Sequence, residues 1–216
     1  MNIRLKINEI FKSIQGESSF AGIPFIFIRL SGCSLRCSYC DTAYAFHEGE
    51  EKTIEEILMQ ISGMSCSHVL VTGGEPLDQP GCRILIKELL DHPYTVLVET
   101  AGCHLIRDYP RGAHYIVDIK TPSSNMSHKN NPALIEDISK KDEIKFVIGN
   151  REDYEFSKRF IQENQLSGRC GTILMSCVSQ ELEPRILAEW ILADNLDVRM
   201  QLQLHKYIWP PHQKGV

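Results

Sequence analysis

Residues 25–40 read Phe25-Ile-Phe-Ile-Arg-Leu-Ser-Gly-Cys33-Ser-Leu-Arg-Cys37-Ser-Tyr-Cys40. The first six residues are a nearly unbroken apolar run, the pattern of a strand buried on both faces of a parallel sheet. Gly32 and a loop carrying three cysteines follow at once. Similar runs recur along the chain: His68-Val-Leu-Val, Thr95-Val-Leu-Val, Tyr115-Ile-Val-Asp-Ile, Glu143-Ile-Lys-Phe-Val-Ile, Thr172-Ile-Leu-Met and Val198-Arg-Met-Gln-Leu-Gln-Leu. Helical patterns lie between them. Thr53-Ile-Glu-Glu56 is a capping box opening a helix with Ile54, Ile57, Leu58 and Ile61 on one face. Residues 80–91, 153–165 and 182–194 are further helical candidates, and residues 121–132 form a polar loop.

Strand and helix alternating with short connections predict a single α/β domain over residues 1–216, built around a parallel sheet. A complete eight-fold barrel needs about 250 residues. With 216 residues and six or seven units, the expectation is a shortened, partly open (β/α) barrel, with an open doubly wound sheet as the alternative. Either architecture gathers ligands at the carboxyl ends of its strands, so the residues just after each run carry the function.

The chain is 43% hydrophobic and 24% charged, an ordinary composition for a globular protein. Its net charge of -5 argues against a protein that works by neutralising nucleic-acid phosphates, so no direct contact with nucleic acid is expected. No stretch approaches the roughly 20 apolar residues of a membrane helix, and the first residues lack the apolar core of a signal peptide. The expectation is a cytoplasmic protein with no membrane contact. Eight cysteines in that compartment point to thiols and a metal or redox site rather than disulfides. Cys66, Cys82, Cys103, Cys170 and Cys177 are scattered singly, whereas Cys33, Cys37 and Cys40 crowd together.

Iron-sulfur sites are normally held by four cysteines, so a local set of three implies a cluster with one iron left open for a substrate. A structural zinc site is the alternative, its closed set of four completed by Cys103, His47 or His104. Val71-Thr72-Gly73-Gly74-Glu75-Pro76 lies directly after the second strand run. Adjacent glycines there let backbone approach a ligand closely, or simply turn the chain from strand to helix.

Cys-x-x-x-Cys-x-x-Cys with Tyr39 before its last cysteine resembles the signature of the radical S-adenosylmethionine enzymes. The resemblance implies a [4Fe-4S] cluster on Cys33, Cys37 and Cys40, S-adenosylmethionine chelated by the open iron, and a partial (β/α) barrel. It places Tyr39, Cys40 and Asp41 near the cosubstrate and Gly74 against its methionyl amino group. Further residues narrow the match: Glu9-Ile-Phe, Ile14-Gln15-Gly16-Glu17, Arg29, Cys40-Asp41-Thr42, Val98-Glu99-Thr100, Lys120-Thr-Pro-Ser-Ser124 and His205-Lys206-Tyr207. Together these resemble the 7-carboxy-7-deazaguanine synthase family, from about residue 7 to the C-terminus.

That family's members are lyases that convert 6-carboxy-5,6,7,8-tetrahydropterin to 7-carboxy-7-deazaguanine with loss of ammonia, towards queuosine in tRNA and related deazapurines. The resemblance implies pterin contacts from Ile14, Gln15, Gly16, Glu17, Arg29, Thr72, Glu99, His205 and Pro211. It implies cosubstrate contacts from Asp118, Ile119, Lys120 and Ser176, and magnesium on Thr42. Many relatives carry Ser-Pro-Lys where Asp118-Ile119-Lys120 stands, and Gln-Pro where Ser176-Cys177 stands. The chemistry suits the roles: Gln15, Glu17 and Glu99 can read an amide and amino edge, and the planar fork of Arg29 suits a carboxylate. A homodimer and an electron donor such as flavodoxin or ferredoxin are further implications. Two other readings stand beside this one, an activating enzyme that installs a glycyl radical on a partner protein and a non-enzymatic metal-binding module.

Overall fold

The computed structural model describes residues 3–210 and 213–215. In chain order the elements are β1 (Arg4–Ile14), β2 (Pro24–Leu30), β3 (Glu50–Thr53), α1 (Ile54–Ser62), β4 (His68–Gly73), α2 (Cys82–Asp91), β5 (Thr95–Thr100) and β6 (His114–Asp118). They continue with β7 (Glu143–Ile148), α3 (Arg151–Glu163), α4 (Leu166–Arg169), β8 (Thr172–Cys177), α5 (Pro184–Asp194), β9 (Arg199–Met200) and α6 (His205–Ile208). One sheet takes all nine strands in the order β3-β1-β2-β4-β5-β6-β7-β8-β9. The pairs β1–β2 and β1–β3 are antiparallel and every other pair is parallel. The sheet is not closed, as expected of a partly open barrel.

The predicted helices form close to their expected places. At the start of α1 both halves of the capping box are made, Glu56 N donating to Thr53 Oγ1 at 3.2 Å and Thr53 N to Glu56 Oε2 at 2.7 Å. Ile54, Ile57 and Ile61 are buried, while Leu58 packs at the margin of the core. Three differences matter. β1 and β3 are strands that apolar runs do not mark, because β1 alternates buried and half-exposed residues along an antiparallel pairing. The last predicted strand shrinks to Arg199–Met200, since Gln201 and Gln203 turn their side chains towards Ser18 and Glu17 instead of continuing a ladder. The β6–β7 connection contains only short 3-10 turns, in keeping with its polar sequence.

Alternation within each strand separates two cores. One face, with Ile26, Ile28, Val69, Val71, Val96, Val98, Tyr115, Val117, Ile144 and Phe146, packs into the large core together with the helices. The other begins apolar, with Phe25, Phe27, Leu70, Leu97 and Ile116 packed with Phe11 and Phe20. Two residues further along the same face, β2 carries Arg29, β4 Thr72, β5 Glu99 and β6 Asp118. Side chains two apart point the same way. The concave face therefore changes from apolar floor to polar rim as the strands approach their carboxyl ends.

Candidate active site

The cysteine loop follows β2 and is pinned from three directions. Asp78, just beyond β4, accepts from Ser34 N at 2.7 Å and Ser34 Oγ at 3.1 Å. His104 holds that carboxylate at 2.8 Å. Asp78 and Cys103 push the His104 pKa up to about 10, so the imidazole is charged at neutral pH. On the other side Ser38 N and Oγ donate to the carbonyls of Ser124 and Ser123. Arg36, stacked on the Phe46 ring, closes the loop by donating to Cys33 O at 2.6 Å.

Gly73 and Gly74 support the same loop. A Cβ on Gly73 would come within 2.5 Å of Leu30 O, and one on Gly74 within 2.2 Å of Gly32 O and 2.8 Å of Cys33 Cβ. These glycines let the strand end press against the cysteine loop's own backbone. Glu75 beside them is fully buried and accepts from Leu77 N, Thr100 Oγ1 and Ala101 N, so it ties the end of β4 to the end of β5. Burial nonetheless raises its pKa.

All eight cysteines are free. Cys33, Cys37 and Cys40 are half-buried, and burial raises all three thiol pKa values, that of Cys33 to about 11. Loading a metal must therefore displace protons from them. Among the described residues no three or more His, Cys, Asp and Glu side chains are gathered as a single metal ion would need.

The polar rim stands beside this loop. Lys145 on β7, nearly buried, bonds Glu17 Oε2 at 2.9 Å, bonds Glu99 Oε1, and stands 3.8 Å from Asp118. Thr72 Oγ1 donates to Glu99 at 3.4 Å, and Lys120 pairs with Asp118 at 2.8 Å. Burial acts against the charge on Glu17, but Lys145 and Gln203 outweigh it and lower its pKa. The same carboxylates hold Lys145 charged, far above its ordinary value, against its own burial. Asp118 Oδ1 on β6 and Ser176 Oγ on β8 are buried without a hydrogen-bond partner, on the two strands that flank β7. A polar cosubstrate would satisfy them, so the donor set fits the S-adenosylmethionine that the cysteine signature implies.

Arg29 sits at the other end of the rim with Nε on Glu9 Oε1 at 2.7 Å, and Tyr44 OH donates to the same oxygen at 2.8 Å. One edge of the guanidinium is thus fixed. Its Nη1 makes only a 3.5 Å contact to Gly73 O. Thr42 donates to Asp41 Oδ1 at 2.9 Å, and Asp41 pairs with Lys206 at 3.0 Å. Although half of its side chain is open to water, nearby protein desolvates Asp41; Lys206 and Thr42 outweigh this and hold its pKa down at about 2.

The C-terminal segment roofs the site. Leu204 N donates to Gly16 O at 3.0 Å, and a Cβ on Gly16 would meet His205 Nδ1 at 2.4 Å, so the imidazole occupies the space that the glycine leaves. Burial lowers the His205 pKa and keeps the ring neutral. Not every expected contact is free. Gln15 N and O are spent on Ile23 and Gly22, and its side chain accepts from Glu17 N. Ile14 ends β1 opposite Pro24. The Ile119 side chain belongs to the large core and its amide donates to Lys145 O. The hydroxyl of Tyr39 lies 3.4 Å from Thr121 Oγ1, and Pro211 falls outside the described residues. Sequence reading passed over Lys145, whose signal was a charge inside a run expected to be buried on both faces.

A three-cysteine loop at the mouth of an open parallel barrel, beside a polar rim with unsatisfied polar atoms, defines a radical S-adenosylmethionine enzyme, and the Radical SAM superfamily model matches residues 27–163. That class carries a [4Fe-4S] cluster and S-adenosylmethionine. The chain is 46% identical to a 7-carboxy-7-deazaguanine synthase of Chlorobaculum tepidum, over 98% of this chain and 97% of the relative. It is 37% identical to one of Koribacter versatilis, over 98% and 100%. The crystal structure of QueE from Escherichia coli superposes with a TM-score of 0.75 at 25% identity, covering 92% of this chain and 94% of that one. The chain belongs to the 7-carboxy-7-deazaguanine synthase family. Among the described residues no helix is long and apolar enough to cross a membrane.

Proposed function

We propose that the chain, as one domain of residues 1–216, converts 6-carboxy-5,6,7,8-tetrahydropterin to 7-carboxy-7-deazaguanine and ammonia. The observation that carries this reading is the rim itself: Glu17 and Glu99, from separate elements, converge on Lys145, and Arg29 stands on the same rim at the strand that leads into the three-cysteine loop. When bound, the cluster supplies the electron that splits S-adenosylmethionine, giving the radical that takes hydrogen from C6 of the pterin. The chain's own groups bind and orient. Cys33, Cys37 and Cys40 anchor the cluster, Tyr39 flanks the adenine, and Gly74, Asp118, Lys120 and Ser176 hold the remainder of the cosubstrate, with the backbone of Asp41 and Ile119. Glu17 and Glu99 accept from the amino and amide edge of the pterin, Thr72 and His205 border its ring, and Arg29 turns its open edge to the 6-carboxylate. Gln15 holds the Ile14–Glu17 strip in shape.

Magnesium on Thr42 belongs to the same reading. It takes hard oxygen ligands and keeps several waters, so one hydroxyl and the substrate carboxylate suffice beside Asp41. A flavodoxin or ferredoxin as electron donor, a homodimer and a cytoplasmic setting complete the proposal.

The test is anaerobic incubation of cluster-loaded protein with S-adenosylmethionine, reductant and the pterin, titrating magnesium after chelation. Product and ammonia should form in equal amounts and magnesium should stimulate turnover. Thr42→Val should lose that stimulation and Thr42→Ser keep much of it. No product from protein that cleaves S-adenosylmethionine would refute the substrate, and identical magnesium curves for wild type and Thr42→Val would remove the ion from Thr42.

A further inference from the structure

We propose that Lys145 is a positioning residue that holds Glu17 and Glu99 side by side as charged, acceptor-only carboxylates, and so selects a flat ligand that presents N–H donors. This rests on the functional reading above for the identity of the ligand. Glu17 comes from the segment after β1 and Glu99 from β5, and both reach the same ammonium. Two partly buried carboxylates that converge on one ammonium repel each other, and without that cation the repulsion favours one of them keeping a proton. Among the described residues no other cation bonds either of them. Lys120, the neighbouring ammonium, is committed to Asp118.

The surroundings agree from every side. Asp118 from β6 is the third carboxylate facing Lys145, Gln201 and Gln203 from the C-terminal segment donate to Glu17, and the nearby His205 is kept neutral by burial. Lys145 is itself only 5% exposed and its donors are turned to carboxylates, so it sets their charge rather than meeting the ligand. The charge state decides recognition. An ionised carboxylate only accepts, whereas a protonated one also donates and would meet the amino and amide hydrogens of a pterin donor to donor.

Two measurements on anaerobic, cluster-loaded protein test this in wild type, Lys145→Met and Lys145→Met/Glu99→Gln. Infrared difference spectra without pterin, each variant minus wild type so that the buried Glu75 common to all three cancels, should show a protonated-carboxyl band for Lys145→Met and none for the double variant. Pterin affinity should be flat in wild type between pH about 6 and 8. In Lys145→Met it should fall about tenfold per pH unit on acidification below the pKa of the shared proton, and the double variant should lose that slope. Spectra without a protonated band in Lys145→Met, or a slope that survives Glu99→Gln, would overturn the proposal. Should Lys145→Met not fold, wild type and Glu99→Gln decide it. A protonated band in wild type that Glu99→Gln removes would mean that the pair shares a proton despite Lys145; its absence upholds the role. The expected difference spectra together with a wild type that binds no pterin would refute the functional reading and leave the charge role of Lys145 standing.

Discussion

Arg29 shows how much of a residue's role depends on its neighbours. In sequence it is a cation ending an apolar strand, open to a bland reading as a surface ion pair. In the fold it is a half-buried fork with one edge locked by Glu9 and the other turned along the rim towards the cysteine loop. A lysine cannot hold Glu9 and a substrate carboxylate in one plane, because its ammonium is a point charge on a flexible stem. Arg29→Lys should therefore be nearly as poor as Arg29→Ala, each weakening pterin binding by roughly 2 to 4 kcal/mol. Cleavage of S-adenosylmethionine without pterin should survive in both. Equilibrium binding decides it, and wild-type affinity in Arg29→Ala would exclude the contact.

Elements were legible where a short-range signal sufficed. The capping box at Thr53, the apolar runs of β2 and β4 to β8, and the cysteine loop all state their structure within a few residues. β1 was not legible, since its mixed polar and apolar residues gain their meaning only by pairing with β2 and β3. Lys145 escaped for the same reason, and Glu9 and Lys206 stood in the motifs without a stated contact, as their partners lie far away in sequence and only the topology brings them together. A local signal also makes a local prediction. Thr53→Ala removes one side-chain acceptor at the start of α1, beside the edge strand β3 and bonded to no rim residue, and should lower stability by about 1 kcal/mol while leaving turnover unchanged. Denaturant unfolding and the product assay would show it; a loss of turnover at full stability would place α1 in the function.

At the scale of the molecule, an open sheet with an apolar floor and a polar rim sets three cysteines at its mouth. Of the other five thiols, Cys82 and Cys170 are buried in the large core, Cys66 and Cys177 lie at its edge, and Cys103 stands beside His104. The metal chemistry should therefore depend on the three cysteines of the loop alone. The decisive measurement is bound iron and S-adenosylmethionine cleavage in alanine variants purified without oxygen. Cys33, Cys37 and Cys40 variants should each lose the cluster and all cleavage, while Cys66, Cys82 and Cys170 variants should keep iron and cleavage at the wild-type level per folded protein. A scattered cysteine that proved as necessary for iron as the three would contradict a cluster held by three anchors with one iron left open.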